Sequence, residues 1–204
     1  MMKLYEYEPY PSPRRVRMFL AEKGINIPCV QVDVPAGEHR SPEYLNKNPD
    51  GVVPLLELDN GEYISETVAI SRYFEENNPQ TPLMGTTAEE KARIEMWQRR
   101  VENSLFNTVA TYFHHATDGL GEPDRYRNKE WGEENRGKAI SAMKQLNSQL
   151  GGNKFIVEDK FSIADITAFC AIDFATAVNI PIPDECHHLK RWYAEVSQRQ
   201  SAAA

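Results

Sequence analysis

The chain has 204 residues, enough for one domain or two small ones, with 41% hydrophobic residues and a net charge of −7. That acidity argues against nucleic acid as the main partner, because phosphate binding needs a basic footprint. No apolar run approaches the roughly 20 residues that span a bilayer, so no membrane role is expected.

Cys29, Cys170 and Cys186 form no Cys-x-x-Cys pair, so neither a disulfide framework nor a metal site is expected. The N-terminus, Met1 to Glu8, lacks the apolar stretch of a secretory signal. A reducing cytoplasm is the simplest home.

Met1 to Tyr7 reads as a first strand. Tyr10-Pro11-Ser12-Pro13-Arg14-Arg15-Val16-Arg17-Met18-Phe19-Leu20 then reads as a helix opening, with Ser12 as N-cap, Pro13 at the first helical position and Gly24 as the stop. Arg14, Arg15 and Arg17 crowd the positive end of the helix dipole, where each cation costs about 0.3–1 kcal/mol. Two readings stand side by side: an anion visits this end, or the arginines are simply solvated. Ile27 to Val34 reads as a second strand, parallel to the first across a right-handed crossover. A short helix is expected after Ser41-Pro42. His39, in the polar stretch before it, reads as solvated.

Val52 to Ile64 reads as a hairpin turning at Asn60-Gly61, because glycine and asparagine tolerate positive φ. Pro54 opens its first strand, where a missing amide hydrogen is tolerable. Ser65-Glu66-Thr67 then starts a helix whose buried face is Ile70, Tyr73 and Phe74. Its hydroxyls can be ordinary caps, or its free amides and the Thr67 hydroxyl can grasp a carboxylate.

The order strand, Ser-Pro helix, strand, Asn48-Pro49-Asp50-Gly51-Val52-Val53-Pro54, hairpin and Glu66-Thr67-x-Ala69-Ile70 resembles the thioredoxin-like N-terminal domain of the cytosolic glutathione transferases of bacterial type. The resemblance implies an α/β thioredoxin-like domain over 1–78, a linker over 79–87 and an all-α bundle over 88–204 that contributes the acceptor pocket. It implies a cis Val53-Pro54 bond and pairing of the Val53 backbone with the cysteinyl unit of glutathione. Glu66 and Thr67 would hold the γ-glutamyl end. His39 would reach the glycyl carboxylate, which reverses its solvated reading. Val52 departs from the family, since many members carry Lys, Arg or Gln there. Counted back without gaps, the usual catalytic serine falls on Tyr10. Ser12, whose hydroxyl sits at the helix opening, is the first candidate to hold the thiol, Tyr10 the second and Tyr5 the third.

Such chemistry asks little of a protein. Lowering a thiol pKa from about 8.5 to about 6.5 takes close to 2.7 kcal/mol of thiolate stabilisation. One hydrogen bond to a charged sulfur gives about 1.5–3 kcal/mol and a helix N-terminus about 0.3–1. No metal or cofactor is required, glutathione being a co-substrate. The resemblance implies transfer to small hydrophobic electrophiles, with peroxidase or disulfide reductase activity as further options, and a homodimer. The alternative is a non-catalytic binding or regulatory module on the same fold.

After the Pro- and Gly-punctuated connector the pattern is helical. Thr87 to His115 is one amphipathic stretch with Ile94, Trp97, Val101, Leu105 and Val109 on its apolar face, and Asp118 to Pro123 breaks it. Arg127 to Leu150 returns antiparallel, with Ile140, Met143 and Leu146 inward. Ser162 and Asp165 form a capping box with a structural role. Tyr112 and Phe113 end the long helix where the resemblance puts the acceptor pocket. The adjacent His114 and His115 point to different faces and make a poor chelate.

Overall fold

The computed structural model describes residues 1–121, 124 and 126–204. The chain divides into two compact units, Met1–Thr81 with Ala203–Ala204, and Pro82–Ala202.

The first unit contains β1 (Lys3–Glu6), α1 (Pro11–Glu22), β2 (Cys29–Gln31), α2 (Pro42–Lys47), β3 (Leu55–Glu57), β4 (Tyr63–Ser65) and α3 (Thr67–Asn77). The sheet order is β2-β1-β3-β4, with β1 and β2 parallel and the other pairs antiparallel. This is a thioredoxin-like α/β layer. Strand β2 is shorter than the eight-residue reading because it is an edge strand, exposed along its length. Only hydrogen bonds at its two ends, Leu4 N–H to Pro28 O and Val32 N–H to Glu6 O, prolong the pairing. The register partners Leu4 and Leu56 are fully buried, as are Val16, Phe19 and Ile70 of the helices.

Helix α1 begins earlier than its sequence predicts. Tyr10, not Ser12, is the N-cap, Pro11 is the first helical residue, and Ser12 lies inside the first turn. The reason is that Pro13 loses nothing by moving two positions inward, since the first-turn amides have no intrahelical partner anyway. The Tyr10 amide is already used by a turn from Tyr7. The far end of α1 is tied to α3 by a buried ion pair, Lys23 to Glu75 at 2.7 Å, and Lys23 also donates to the carbonyl of Asn78.

The hairpin turns where predicted, but only Gly61 takes positive φ. Gly61 N–H bonds to Leu58 O, and the Asn60 side chain accepts from Glu62 N–H. Asn60 thus acts through its side chain rather than its backbone freedom.

The second unit is all-helical: α4 (Ala88–Val101), a π turn at Glu102–Phe106, α5 (Asn107–Ala116), α6 (Lys129–Gln149), α7 (Ile163–Ala177) and α8 (His187–Ser197). Thr87 caps α4 in a capping box with Glu90. The predicted long helix is therefore continuous from α4 into α5 but carries a π turn, which shifts the phase of the buried face. Gln98 is fully buried in place of Trp97, and the half-buried Trp97 ring packs under Arg100. On α6 the inward residues are Ala139, Met143 and Leu146; Ile140 is only half-buried. Small residues suit this face because α5 and α6 pack closely: a Cβ on Gly132 would come within 2.6 Å of that of Ala116. The predicted helix break at Asp118 to Pro123 lies partly outside the described residues.

Helix α7 is apolar all round and buried from Ile163 to Ile172, as expected of a central helix. At its start the Asp165 carboxylate accepts from the Ser162 N–H and hydroxyl, each at 3.0 Å. It also accepts from Ile156 N–H at 3.0 Å and from the Trp192 indole of α8 at 2.9 Å. Among the described residues, no helix is long and apolar enough to cross a membrane.

Candidate functional site

One end of the sheet collects most of the singled-out residues. The register pairs Tyr5 with Leu55 and Leu55 with Ser65. One step further along the ladder, the exit of β1 toward α1 meets Pro54 at the entry of β3, and Pro54 meets Glu66 at the exit of β4. Sites in such sheets form where strand ends and helix starts converge.

The Val53-Pro54 bond is cis. Around it the loop is held rigidly. The Val52 carbonyl accepts from the Tyr44 hydroxyl at 2.8 Å and from the Asn48 side chain at 2.9 Å. Gly51 has a φ of 58°, and a Cβ there would lie 2.9 Å from the His39 carbonyl. Val53 packs its side chain on Tyr5, Val32, Tyr44 and Leu55. Among the described residues, its backbone N–H and C=O have no hydrogen-bond partner, so they can accept an extended peptide β-fashion.

Glu66 has φ 71° and ψ 122°, outside the usual regions for a side-chain-bearing residue, and forms the whole reversal from β4 into α3. Such a conformation costs on the order of 1–3 kcal/mol and collects at ligand sites. It leaves the amides of Thr67, Val68 and Ala69 without partners among the described residues. The Thr67 side chain is buried beside them. Three open amides at a helix start suit a carboxylate.

Helix α1 offers a different opening. Pro11 and Pro13 have no N–H, Tyr10 N–H is bonded to Tyr7 O, and Arg14 N–H reaches Tyr10 O at 3.3 Å. The remaining first-turn donor is Ser12, whose amide and hydroxyl both lack partners among the described residues. Tyr10 packs edge-on against Tyr7, with ring centroids 4.8 Å apart. Tyr5 is committed elsewhere: its hydroxyl donates to Glu57 at 2.7 Å, and burial pushes its pKa up.

The arginines do not form an anion pocket as a set, and they are not all solvated. Arg15 is 4% exposed, and Arg17 of α1 pairs with the buried Glu6 carboxylate of β1. Sequence reasoning missed Glu6. The available signal was a carboxylate on the same strand face as the buried Leu4, which demands a partner.

His39 is buried, not solvated, with Nδ1 unpartnered among the described residues. Burial and the neighbouring Arg40 lower its pKa, so it is predominantly neutral near pH 7. Tyr112 and Phe113 are half-buried on α5, where Phe113 packs edge-on to Phe174 at 5.5 Å. Neither histidine beside them is free. His114 Nδ1 lies 2.9 Å from both Asp124 carboxylate oxygens, and His115 Nδ1 accepts from Asn128 N–H at 3.1 Å. Among the described residues, no cluster could hold a metal ion.

The cysteines are all free thiols. Cys29 sits on the exposed edge strand, yet partial desolvation of its thiol against the sheet and the nearby Glu6 push it up to about 11. Cys29 should therefore react slowly with iodoacetamide near pH 7 and accelerate only in strong alkali; rapid alkylation at pH 7 would show that its thiol is not held protonated.

A thioredoxin-like unit with a cis-proline loop beside two helix openings, followed by an all-helical unit, defines the architectural class. Residues 4–82 match the glutathione S-transferase N-terminal domain and residues 106–200 match the C-terminal domain. Glutathione S-transferase 2 of Saccharomyces cerevisiae is 41% identical, over 98% of this chain and 87% of its own length. The crystal structure of yeast Gtt2 superposes with a TM-score of 0.95 at 41% identity, covering 98% of each chain. A glutathione S-transferase domain-containing protein of Marinobacter aquaeolei VT8 gives a TM-score of 0.96 at 42% identity, again over 98% of each. The chain belongs to the glutathione S-transferase family and is an enzyme of that class.

Proposed function

We propose that this enzyme binds glutathione at the end of the first unit's sheet and presents its thiolate to small hydrophobic electrophiles. The observation that carries the reading is the division of labour between the two helix openings. The three open amides of α3 suit the γ-glutamyl carboxylate, and the single Ser12 donor pair of α1 suits a sulfur. Val53 contributes an unpaired backbone edge between them, next to the cis-proline, for the cysteinyl unit. His39, neutral and buried, is assigned to the glycyl end, and Glu66 and Thr67 to the γ-glutamyl end. Ser12 is the first choice to hold the thiolate, with Tyr10 second. Peroxide or disulfide substrates would use the same thiolate. Tyr112 and Phe113 are assigned to the electrophile.

Calorimetry with glutathione, followed by turnover of a chlorinated nitroaromatic, tests the reading. Thr67→Ala is expected to weaken glutathione binding about tenfold, as for loss of a hydrogen bond to a charged group. Equal affinity would remove Thr67 from the site. Firm glutathione binding without turnover of electrophiles, peroxides or disulfides would leave only the binding-module alternative. A cytoplasmic homodimer belongs to the same proposal, and monomeric sedimentation would refute the dimer.

A further inference from the structure

We infer that Glu6, Gln31 and Arg17 act as positioning residues that set where the opening of α1 meets the reacting sulfur. The inference rests on the reading that this opening holds the glutathione thiolate. The four groups that matter form a closed ring. The Glu6 carboxylate accepts from Arg17 Nη1 with one oxygen and from Gln31 Nε2 at 3.0 Å with the other. Gln31 Oε1 accepts from the backbone N–H of Glu8 at 2.9 Å, and Arg17 Nη2 donates to the backbone C=O of Glu8 at 2.9 Å. Both main-chain polar groups of Glu8 are thus clamped, from β2 on one side and from α1 on the other.

Glu8 lies within the tight turn from Tyr7 to Tyr10, closed by Tyr10 N–H to Tyr7 O at 3.0 Å. That turn delivers Tyr10 as N-cap and Ser12 in the first helical turn. The first turn retains a single open amide, so the sulfur has few alternative donors if Ser12 moves. Hydrogen-bond strength falls steeply with distance and angle. A shift of the Glu8 backbone by a few tenths of an ångström would therefore reach the thiolate. Each of the four bonds in the ring pairs one donor with one acceptor, and the buried Glu6 has both oxygens engaged. Unpaired, it would be expensive to keep.

The ring makes a distinctive exchange possible. In Gln31→Glu the new carboxylate still accepts from Glu8 N–H but faces Glu6 with no donor between them. In the double variant Glu6→Gln with Gln31→Glu, the amide at position 6 can donate to position 31 and accept from Arg17, so all four bonds can re-form. The test measures the pKa of glutathione bound to the enzyme by thiolate absorbance, together with kcat and glutathione KM. Gln31→Glu and Gln31→Leu are expected to raise the bound-thiol pKa by about one unit and lower kcat at neutral pH about tenfold, with KM within about twofold. The double variant should return kcat to within about threefold, and the bound-thiol pKa to within about half a unit, of the parent.

If parent enzyme ionises glutathione and Gln31→Leu leaves pKa and kcat unchanged, the ring does not position the site. A double variant no better than Gln31→Glu alone would overturn it equally. If the parent itself fails to ionise glutathione, the underlying reading falls and this inference with it. Gln31 lies on the exposed edge strand, so Gln31→Leu is expected to fold even if variants at the buried Glu6 do not.

Discussion

Ser12→Ala is expected to leave glutathione affinity within about twofold of the parent while raising the pKa of the bound thiol by about one to two units. A hydrogen bond to a charged sulfur is worth about 1.5–3 kcal/mol, and each pKa unit corresponds to about 1.4 kcal/mol. The backbone donor of Ser12 survives the substitution, so ionisation should weaken without disappearing. The two prolines flanking Ser12 strip the neighbouring amides from the first turn, which is why so much of the field at this opening depends on one residue. Thiolate absorbance titration of the glutathione complex reads the shift directly. An unchanged titration would transfer the role to Tyr10, and Tyr10→Phe would then be the variant that loses it.

Asp165→Ala is expected to cost stability rather than chemistry, by about 3–5 kcal/mol in urea unfolding. Four donors converge on this carboxylate from Ser162, Ile156 and Trp192, and the alanine variant strands all of them in the core. Against a total stability of roughly 5–15 kcal/mol this loss is large. Ser162→Ala removes a smaller part of the same arrangement and should cost about 0.5–2 kcal/mol.

Burial pushes the Asp165 carboxyl up to about 6, against the pull of the hydrogen bonds it accepts. Since the unfolded value is about 3.9, the folded state binds the proton more tightly. Its contribution to stability is therefore full below about pH 4 and declines as pH rises through about 6. Asp165→Asn should flatten that part of the pH profile, and an unaltered profile would show that Asp165 titrates as an ordinary carboxylate.

Much of the architecture was legible because it is local. Asn60-Gly61 announces a hairpin, Ser41-Pro42 and Ser162 with Asp165 announce helix starts, and the spacing of Ile94, Val101, Leu105 and Val109 announces a buried helix face. The loop from Asn48 to Pro54, together with Glu66-Thr67, carried the family resemblance. Local rules also misled where two choices were locally equivalent. Either Pro11 or Pro13 can begin a helix, and only the Tyr7 to Tyr10 turn selects the first. Trp97 and Gln98 both fit the inward spacing of a regular helix with Ile94 and Val101, and tertiary packing buries Gln98 fully and Trp97 only half.

By itself the sequence determined the succession of strands and helices, the all-helical second half and the family, because turn chemistry, capping and apolar spacing act over a few neighbouring residues. Tertiary structure alone decided what the charged and polar side chains do. It gave Arg17 the Glu6 carboxylate instead of a visiting anion, buried His39, engaged Tyr5 with Glu57 and His114 with Asp124, and left Ser12 and the α3 amides open. The physical reason is that the fate of a polar group depends on whether folding brings it a partner, and those partners lie in segments that only the assembled chain brings together.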